Sequence, residues 1–232
     1  LKELMAKGVY QVERKPGDPF TSIAGKAFRD DPAANPVYTS TGKLEIHCKA
    51  LSDRIAAYGL TTCPPIAQYR RPVEGYEDTF ADWDKRIKGD YPLQVINTHS
   101  LRRSHSVFDN VPQLRKAFPQ EFVINTLDAK ERGIKTGDTV LVKSRHGKVL
   151  RPAYVCDRIM PGVVILGEGA WVEMDEDLGV DKAGATNVLA GTNLSGQGEE
   201  PWESCNVQVE KWTGEPLVPD YKWPQRIPIK EA

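Results

Sequence analysis

The sequence predicts a mainly β protein with small helices, arranged as a closed or nearly closed β-barrel behind a looser opening segment. Three observations carry that reading. From Pro92 onward the apolar runs are short and are cut by Gly, Pro, Asn and Asp, as at residues 93–96, 122–124, 139–143 and 163–166. Residues 163–166 are wholly apolar, as in a strand buried on both faces. One short capped helix lies between strands and no long strand–helix–strand repeat occurs, which favours a barrel over a doubly wound sheet.

Taken in order, residues 1–7 read as a helix end, with Gly8 as its stop. Residues 8–40, which include KPGDPF and DDPAANP, read as extended, loop-dominated chain. Thr41-Gly42-Lys43 turns into Leu44-Glu45-Ile46-His47-Cys48, whose alternation predicts a half-buried strand, and a short helix is expected over residues 50–58 before Gly59. Residues 61–75 are Pro-rich. Phe80, Trp83 and Ile87 stand at helical spacing, and Gly89-Asp90 breaks the chain. The expected domains are therefore 1–90, 91–212 and an extended tail over 213–232, where Pro216, Pro219, Pro224 and Pro228 oppose regular structure.

Within the second domain, residues 93–96 form a strand behind Pro92 and residues 112–118 a helix with Pro in its first turn. Strand 122–124 runs into a helix capped by Asn125 or Thr126 and stopped by Gly133. Strand 139–143, a turn at Arg145-His146-Gly147 and strand 148–155 form a hairpin. Pro161-Gly162 introduces strand 163–166, and Val207-Gln208-Val209 is the last strand. His47 and His146 are read as structural or solvated.

Composition narrows the functional classes. A chain of 232 residues with 40% hydrophobic content can bury a sizeable core. Its formal net charge of -1 argues against gripping nucleic acid by bulk charge. Charge is uneven, however: Glu173, Asp175, Glu176, Asp177 and Asp181 are acidic, as are Glu199, Glu200 and Glu203, whereas 99–116 is basic. Cys48, Cys63, Cys156 and Cys205 are scattered without a C-x-x-C pair, so no metal site is read from them. No apolar run approaches the ~18 residues of a membrane span, and no signal-peptide pattern is read at the start. The chain opens at Leu1 in helix-like sequence, LKELMAKG, which is expected of a piece of a longer protein.

The stretch 93–106, LQVINTHSLRRSHS, is the strongest functional signal. Its strand stops at Asn97-Thr98. Two imidazoles, two guanidinium groups and three hydroxyls then follow with no acid before Asp109. Arginine forks, serine hydroxyls and free amides past a strand end suit an anion, above all a phosphate. The plainer reading is a solvated basic loop. Residues 184–194, GATNVLAGTNL, are small, polar and poor in charge, and read either as close backbone approach to a ligand or as a flexible loop.

These segments together carry a resemblance. YTSTGKLEI (38–46), INTHSLRRSHS (96–106), INTLDAKERGIKTGDTVLVKSRHGKV (124–149), RPAYVCDRIMPGVVILGEGAW (151–171) and TNVLAGT (186–192) follow the order found in the C-terminal portion of molybdopterin oxidoreductases of the dimethyl sulfoxide reductase family. The resemblance covers nearly the whole chain. It implies that residues 91–212 form a double-psi β-barrel over bis(molybdopterin guanine dinucleotide) with molybdenum, preceded by part of an α/β domain. It implies cofactor contacts at His99, Ser100, Arg102, His105 and Ser106, at Asn187, and more weakly at Asn206. The chain has Ala190 where the family commonly has threonine.

The resemblance places the molybdenum ligand and the iron–sulfur cysteines upstream, so this chain alone is expected to be inactive. It further implies an iron–sulfur electron-transfer subunit, a membrane anchor subunit, a small S-oxide or N-oxide substrate, and a parent enzyme at the periplasmic face of the bacterial inner membrane. The alternative from another class is a stand-alone double-psi barrel that binds or interacts without redox activity. A hydrolase has little support, because no Asp stands at a spacing that would orient His99 or His105.

Overall fold

The computed structural model describes residues 1–17, 23–60, 63–192 and 205–222. Glu199, Glu200, Glu203, Pro224 and Pro228 lie outside the described residues. The chain divides into two units, residues 1–49 with 65–67, and residues 50–64 with 68–232.

In the first unit α1 (Lys2–Lys7) ends at Gly8, whose φ of 70° lets its amide reach the Leu4 carbonyl. After it comes α2 (Lys26–Asp30). No described residue of this unit is buried. The strand expected at 44–48 is reduced to a single bridge between His47 and Ile66. Leu44 and Ile46 are 71% and 84% exposed, so the alternating pattern has no apolar surface to pack on.

Next in the chain is α3 (Lys49–Ala56), the short helix expected there. The helix expected from Phe80, Trp83 and Ile87 is instead a 3-10 turn at Tyr76–Thr79 followed by a hairpin of β1 (Phe80–Asp82) and β2 (Ile87–Lys88). Asp82 accepts the Lys85 amide at 3.0 Å and fixes the turn, while Phe80 and Trp83 meet edge to face with Arg86 over the indole at 3.6 Å. The spacing had recorded a ring cluster rather than a helix face. Residues 68–90 fall in the second unit, with Glu74 and Thr79 buried there.

The strands after Pro92 are β3 (Leu93–Thr98), β4 (Phe122–Asn125), β5 (Thr139–Lys143), β6 (Lys148–Cys156) and β7 (Val163–Gly167). Two-residue strands β8 (Met174–Asp175) and β9 (Val180–Asp181) extend an edge, and β10 (Asn206–Lys211) follows. The hydrogen-bonded order β4-β7-β3-β10-β5-β6 closes on itself through a β4–β6 pairing. The result is a six-stranded closed barrel, the double-psi architecture expected. Two of its pairings are parallel, β3 with β7 and β4 with β6; the others are antiparallel.

The period of two sorts each strand's side chains. Leu93 and Val95, Phe122 and Ile124, Val140 and Val142, Val164 and Leu166, and Val207 and Val209 all fill one core with Val149 and Ala153. Each of the Val, Leu, Ile and Phe side chains is worth about 1.5–3 kcal/mol of transfer free energy. Between β4 and β5, α5 (Thr126–Glu131) starts from Asn125, whose side chain accepts the Leu127 amide at 2.7 Å, as the sequence predicts for a capping Asn.

Cys205 closes the core beside β10, and its Sγ lies 3.2 Å from the Leu189 carbonyl. Burial pushes its thiol up to about 12, and Glu74 acts in the same direction. Alkylation of the native protein is therefore expected to label Cys48, Cys63 and Cys156, which are partly exposed, well before Cys205. Mass spectrometry of the labelled peptides checks this; early labelling of Cys205 would show that the core opens.

Candidate functional site

Parallel pairing decides where the site sits. In-register pairing of β3 with β7 places Thr98 beside Gly167, so both strands end at the same level, and the Glu168 amide donates to the Thr98 carbonyl at 2.9 Å. The chain segments leaving these ends, 99–109 and 168–171, are thereby side by side. In open α/β sheets ligands gather outside such carboxyl ends, and the paired ends here present the same kind of crevice.

Beneath the surface the two segments meet a buried ionic hub. Arg102, Arg103, Arg115, Arg151, Asp109, Asp220 and Gln120 are all at most 8% exposed. Arg102 donates to Asp109 at 3.0 Å, to Asp220 at 3.3 Å and to the Phe118 carbonyl at 3.2 Å. Arg103 donates to Asp109 at 2.8 Å, to Gln120 at 2.6 Å and to the Glu168 carbonyl at 2.6 Å. Arg115, from α4 (Pro112–Ala117), binds the Asp109 carbonyl, and Arg151 of β6 reaches Asp220 at 2.5 Å. The hub thus holds four guanidinium groups and two carboxylates among the described residues.

Burial works against charge on Arg102 and Arg103, lowering both, while Asp109 and Asp220 favour the charged forms. Burial alone would raise the Asp220 carboxyl, yet Arg151, the Gln120 amide and Arg102 together hold it below the ordinary carboxylate range. Gln120 ties the loops together: its side-chain amide donates to the Gly167 carbonyl at 2.7 Å and to the Gly184 carbonyl at 3.2 Å.

Above the hub lies an exposed set of donors. His99 and His105 have side chains 81% and 78% exposed. Ser104 and Ser106 are exposed and Ser100 is half-buried. The loop is held in an uncommon shape, with His105 at φ 52° and Phe108 at φ 74°. Trp171 clamps it, its indole donating to the Ser106 carbonyl at 2.9 Å and its amide to Asp109 at 3.0 Å.

Arg102 and Asn206, two of the expected cofactor contacts, are buried and bonded within the chain. Arg102 pairs with Asp109 and Asp220, as a guanidinium this deep requires, while its Nε has no hydrogen-bond partner among the described residues. Asn206, fully buried at the start of β10, donates to the Gly75 carbonyl at 2.9 Å. His99, Ser100, His105 and Ser106 do lie together on one loop. Asn187 is exposed on a separate 3-10 turn, Thr186–Val188, which packs on the β5–β6 hairpin so tightly that a Cβ on Gly147 would meet the Val188 carbonyl. His146 in that hairpin pairs with Glu74 at 2.6 Å, the structural role read for it.

Two participants were missed by sequence reasoning. Glu168 follows β7 directly, and the two apolar runs ending together in parallel were the available signal. Asp220 stands between prolines in the segment read as an extended tail, where no periodicity marks it; it sits in a 3-10 turn, Asp220–Lys222, buried against the hub.

Residues 93–201 match the family model described as the molydopterin dinucleotide binding domain. The chain is 39% identical over 211 residues to dimethyl sulfoxide reductase DmsA of Escherichia coli K12, a match covering 90% of this chain and 25% of that protein. It is 40% identical over 192 residues to the probable dimethyl sulfoxide reductase chain YnfF of the same organism, covering 82% and 23%. It is also 34% identical over 212 residues to a trimethylamine-N-oxide reductase of Haemophilus influenzae, covering 86% and 24%. The chain therefore spans about a quarter of these relatives' length. Acetylene hydratase from Pelobacter acetylenicus shares the fold, with a TM-score of 0.59 at 19% identity over 78% of this chain and 25% of that one.

Proposed function

The chain belongs to the dimethyl sulfoxide reductase family of molybdopterin oxidoreductases, and on that premise we propose that its barrel closes over the bis(molybdopterin guanine dinucleotide) of a larger enzyme that reduces S-oxides or N-oxides. The observation that carries this reading is the exposed set of imidazoles and hydroxyls at the paired ends of β3 and β7, backed by the arginine-rich hub. That donor set fits the group. Pyrophosphates call for hydroxyl, imidazole and amide donors near positive charge, and the pterin's amide-like edge calls for a side chain that both donates and accepts.

In this reading His99, Ser100, His105 and Ser106 bind phosphate and pterin atoms, and the Asn187 carboxamide meets a pterin edge. Arg102 acts from behind, fixing the loop and lending charge, while Asn206 anchors β10. Once bound, the molybdenum centre supplies oxygen-atom transfer, and the protein supplies position and electrostatics. Residues 1–90 are the remnant of the preceding α/β domain, and residues 213–222 brace the hub. Among the described residues no helix is long and apolar enough to cross a membrane. The parent receives electrons from an iron–sulfur subunit and a membrane anchor subunit at the periplasmic face of the inner membrane, and its own iron–sulfur cluster and molybdenum ligand lie outside these residues.

The test is the metal and nucleotide content of the full-length product of the reading frame that contains this chain. About one molybdenum and about two guanine nucleotides per chain are expected. Ser106→Ala and Asn187→Ala should each lower nucleotide content without moving the unfolding midpoint, because both residues are exposed. Finding neither molybdenum nor guanine nucleotide in a host competent for the cofactor would overturn the reading and leave a stand-alone binding barrel.

A further inference from the structure

Glu168 supports an inference whose metal site stands on geometry alone and whose competition with the cofactor rests on the reading above. Its Oε1 lies 2.9 Å from His99 Nδ1 and 3.3 Å from His105 Nδ1. All three atoms fall within 4.8 Å of one another, and the imidazole rings meet edge to face with centroids 5.6 Å apart. Oε1 is enclosed, and apart from these two ion-pair contacts it has no hydrogen-bond partner among the described residues. The two carboxylate–imidazole separations are close to the ~3.3 Å edge of a tetrahedron built on metal–nitrogen bonds of about 2.0–2.1 Å.

The backbone is shaped for this convergence. His105 is held at φ 52°, a conformation that is uncommon for a residue with a side chain. Gly169 stands at φ 83° against the His105 carbonyl, so closely that a Cβ there would overlap it. Arg103 grips the Glu168 carbonyl at 2.6 Å and 3.1 Å, and Trp171 grips that of Ser106 at 2.9 Å. Both sides of the cluster are thus fixed from below, while the imidazoles remain open to solvent.

We propose that His99, His105 and Glu168 form a site for a divalent transition-metal cation of the zinc class, bound in the cofactor-free protein. Two imidazole nitrogens and one carboxylate oxygen suit zinc, cobalt or nickel, whereas calcium and magnesium select all-oxygen sets. Three protein ligands leave a position open to water or to an anionic ligand. Because the same imidazoles are assigned to the cofactor, the two ligands exclude one another.

The experiment titrates zinc ion into untagged full-length protein made in a host unable to synthesise the pterin cofactor, against a chromophoric chelator. The expected result is one equivalent that the His99→Ala/His105→Ala double variant lacks, with Glu168→Gln weakening it on the order of tenfold or more. The double variant should keep the wild-type unfolding midpoint in the absence of metal, since both side chains are exposed. Equal zinc uptake by wild type and double variant overturns the proposal, as does retention of that equivalent by the molybdenum-loaded enzyme. Failure of the cofactor reading gives a different result: the competent host yields protein without guanine nucleotide while the zinc titration is unchanged.

Discussion

Asp220→Ala is expected to cost about 3–5 kcal/mol of folding stability, the loss typical of removing one partner from a buried ion pair. The carboxylate receives Arg151 at 2.5 Å, Arg102 at 3.3 Å and the Gln120 amide at 2.9 Å, and its side chain is 5% exposed. Alanine removes the carboxylate those donors share and leaves the positive charge of Arg102 and Arg151 less compensated in a buried hub. Asp220→Asn keeps the shape and loses the charge, so it should fall between wild type and alanine. The pH dependence follows from the same contacts. The folded-state carboxyl is depressed below its ordinary value, so its contribution is fully present above the unfolded pKa of about 3.9 and is lost as pH falls through the folded value. Urea unfolding midpoints at neutral pH and at about pH 3 measure both effects. An alanine variant as stable as wild type would show the 213–222 segment to be a dispensable tail.

Gly169→Ala is expected to be the most damaging single-methyl change in the site. At φ 83° an L-residue is strained by about 1–2 kcal/mol, and the new Cβ would overlap the His105 carbonyl, which is backbone and cannot rotate aside. Together with the overpacking this should cost about 2–4 kcal/mol. The loop carrying His99 to Ser106 must shift away from Glu168, so nucleotide content of the full-length enzyme should fall further than the stability loss alone accounts for. Gly162→Ala is the control: it has a similar φ of 83° but nothing near its Cβ, so it should show the strain without the functional loss. Normal nucleotide content in Gly169→Ala would separate this close approach from ligand binding.

Much of the barrel was legible because its signals are local. The Asn125 cap, the Arg145-His146-Gly147 turn and the apolar runs that became β3, β4, β5, β6, β7 and β10 each depend on neighbouring residues and a period of two. The strand expected at 44–48 and the helix expected around Phe80 and Trp83 failed for the complementary reason. A pattern of two or three apolar residues acquires a structure only from the surface it packs on. Leu44 and Ile46 found none, and Phe80 and Trp83 found each other.

The sequence by itself determined a mainly β chain and the six strands of its barrel, and it pointed to the 99–106 loop, with its imidazoles, hydroxyls and arginines, as the expected place for a ligand. Only the tertiary structure decided which of those groups face outward. Arg102 and Arg103 turn in because Asp109 and Asp220, the latter 118 residues from Arg102, converge beneath the loop. Glu168 joins His99 and His105 because β3 and β7 pair in parallel and end at one level. Local chemistry names the donors; long-range pairing, which leaves no periodic trace in the chain, chooses what each donor meets.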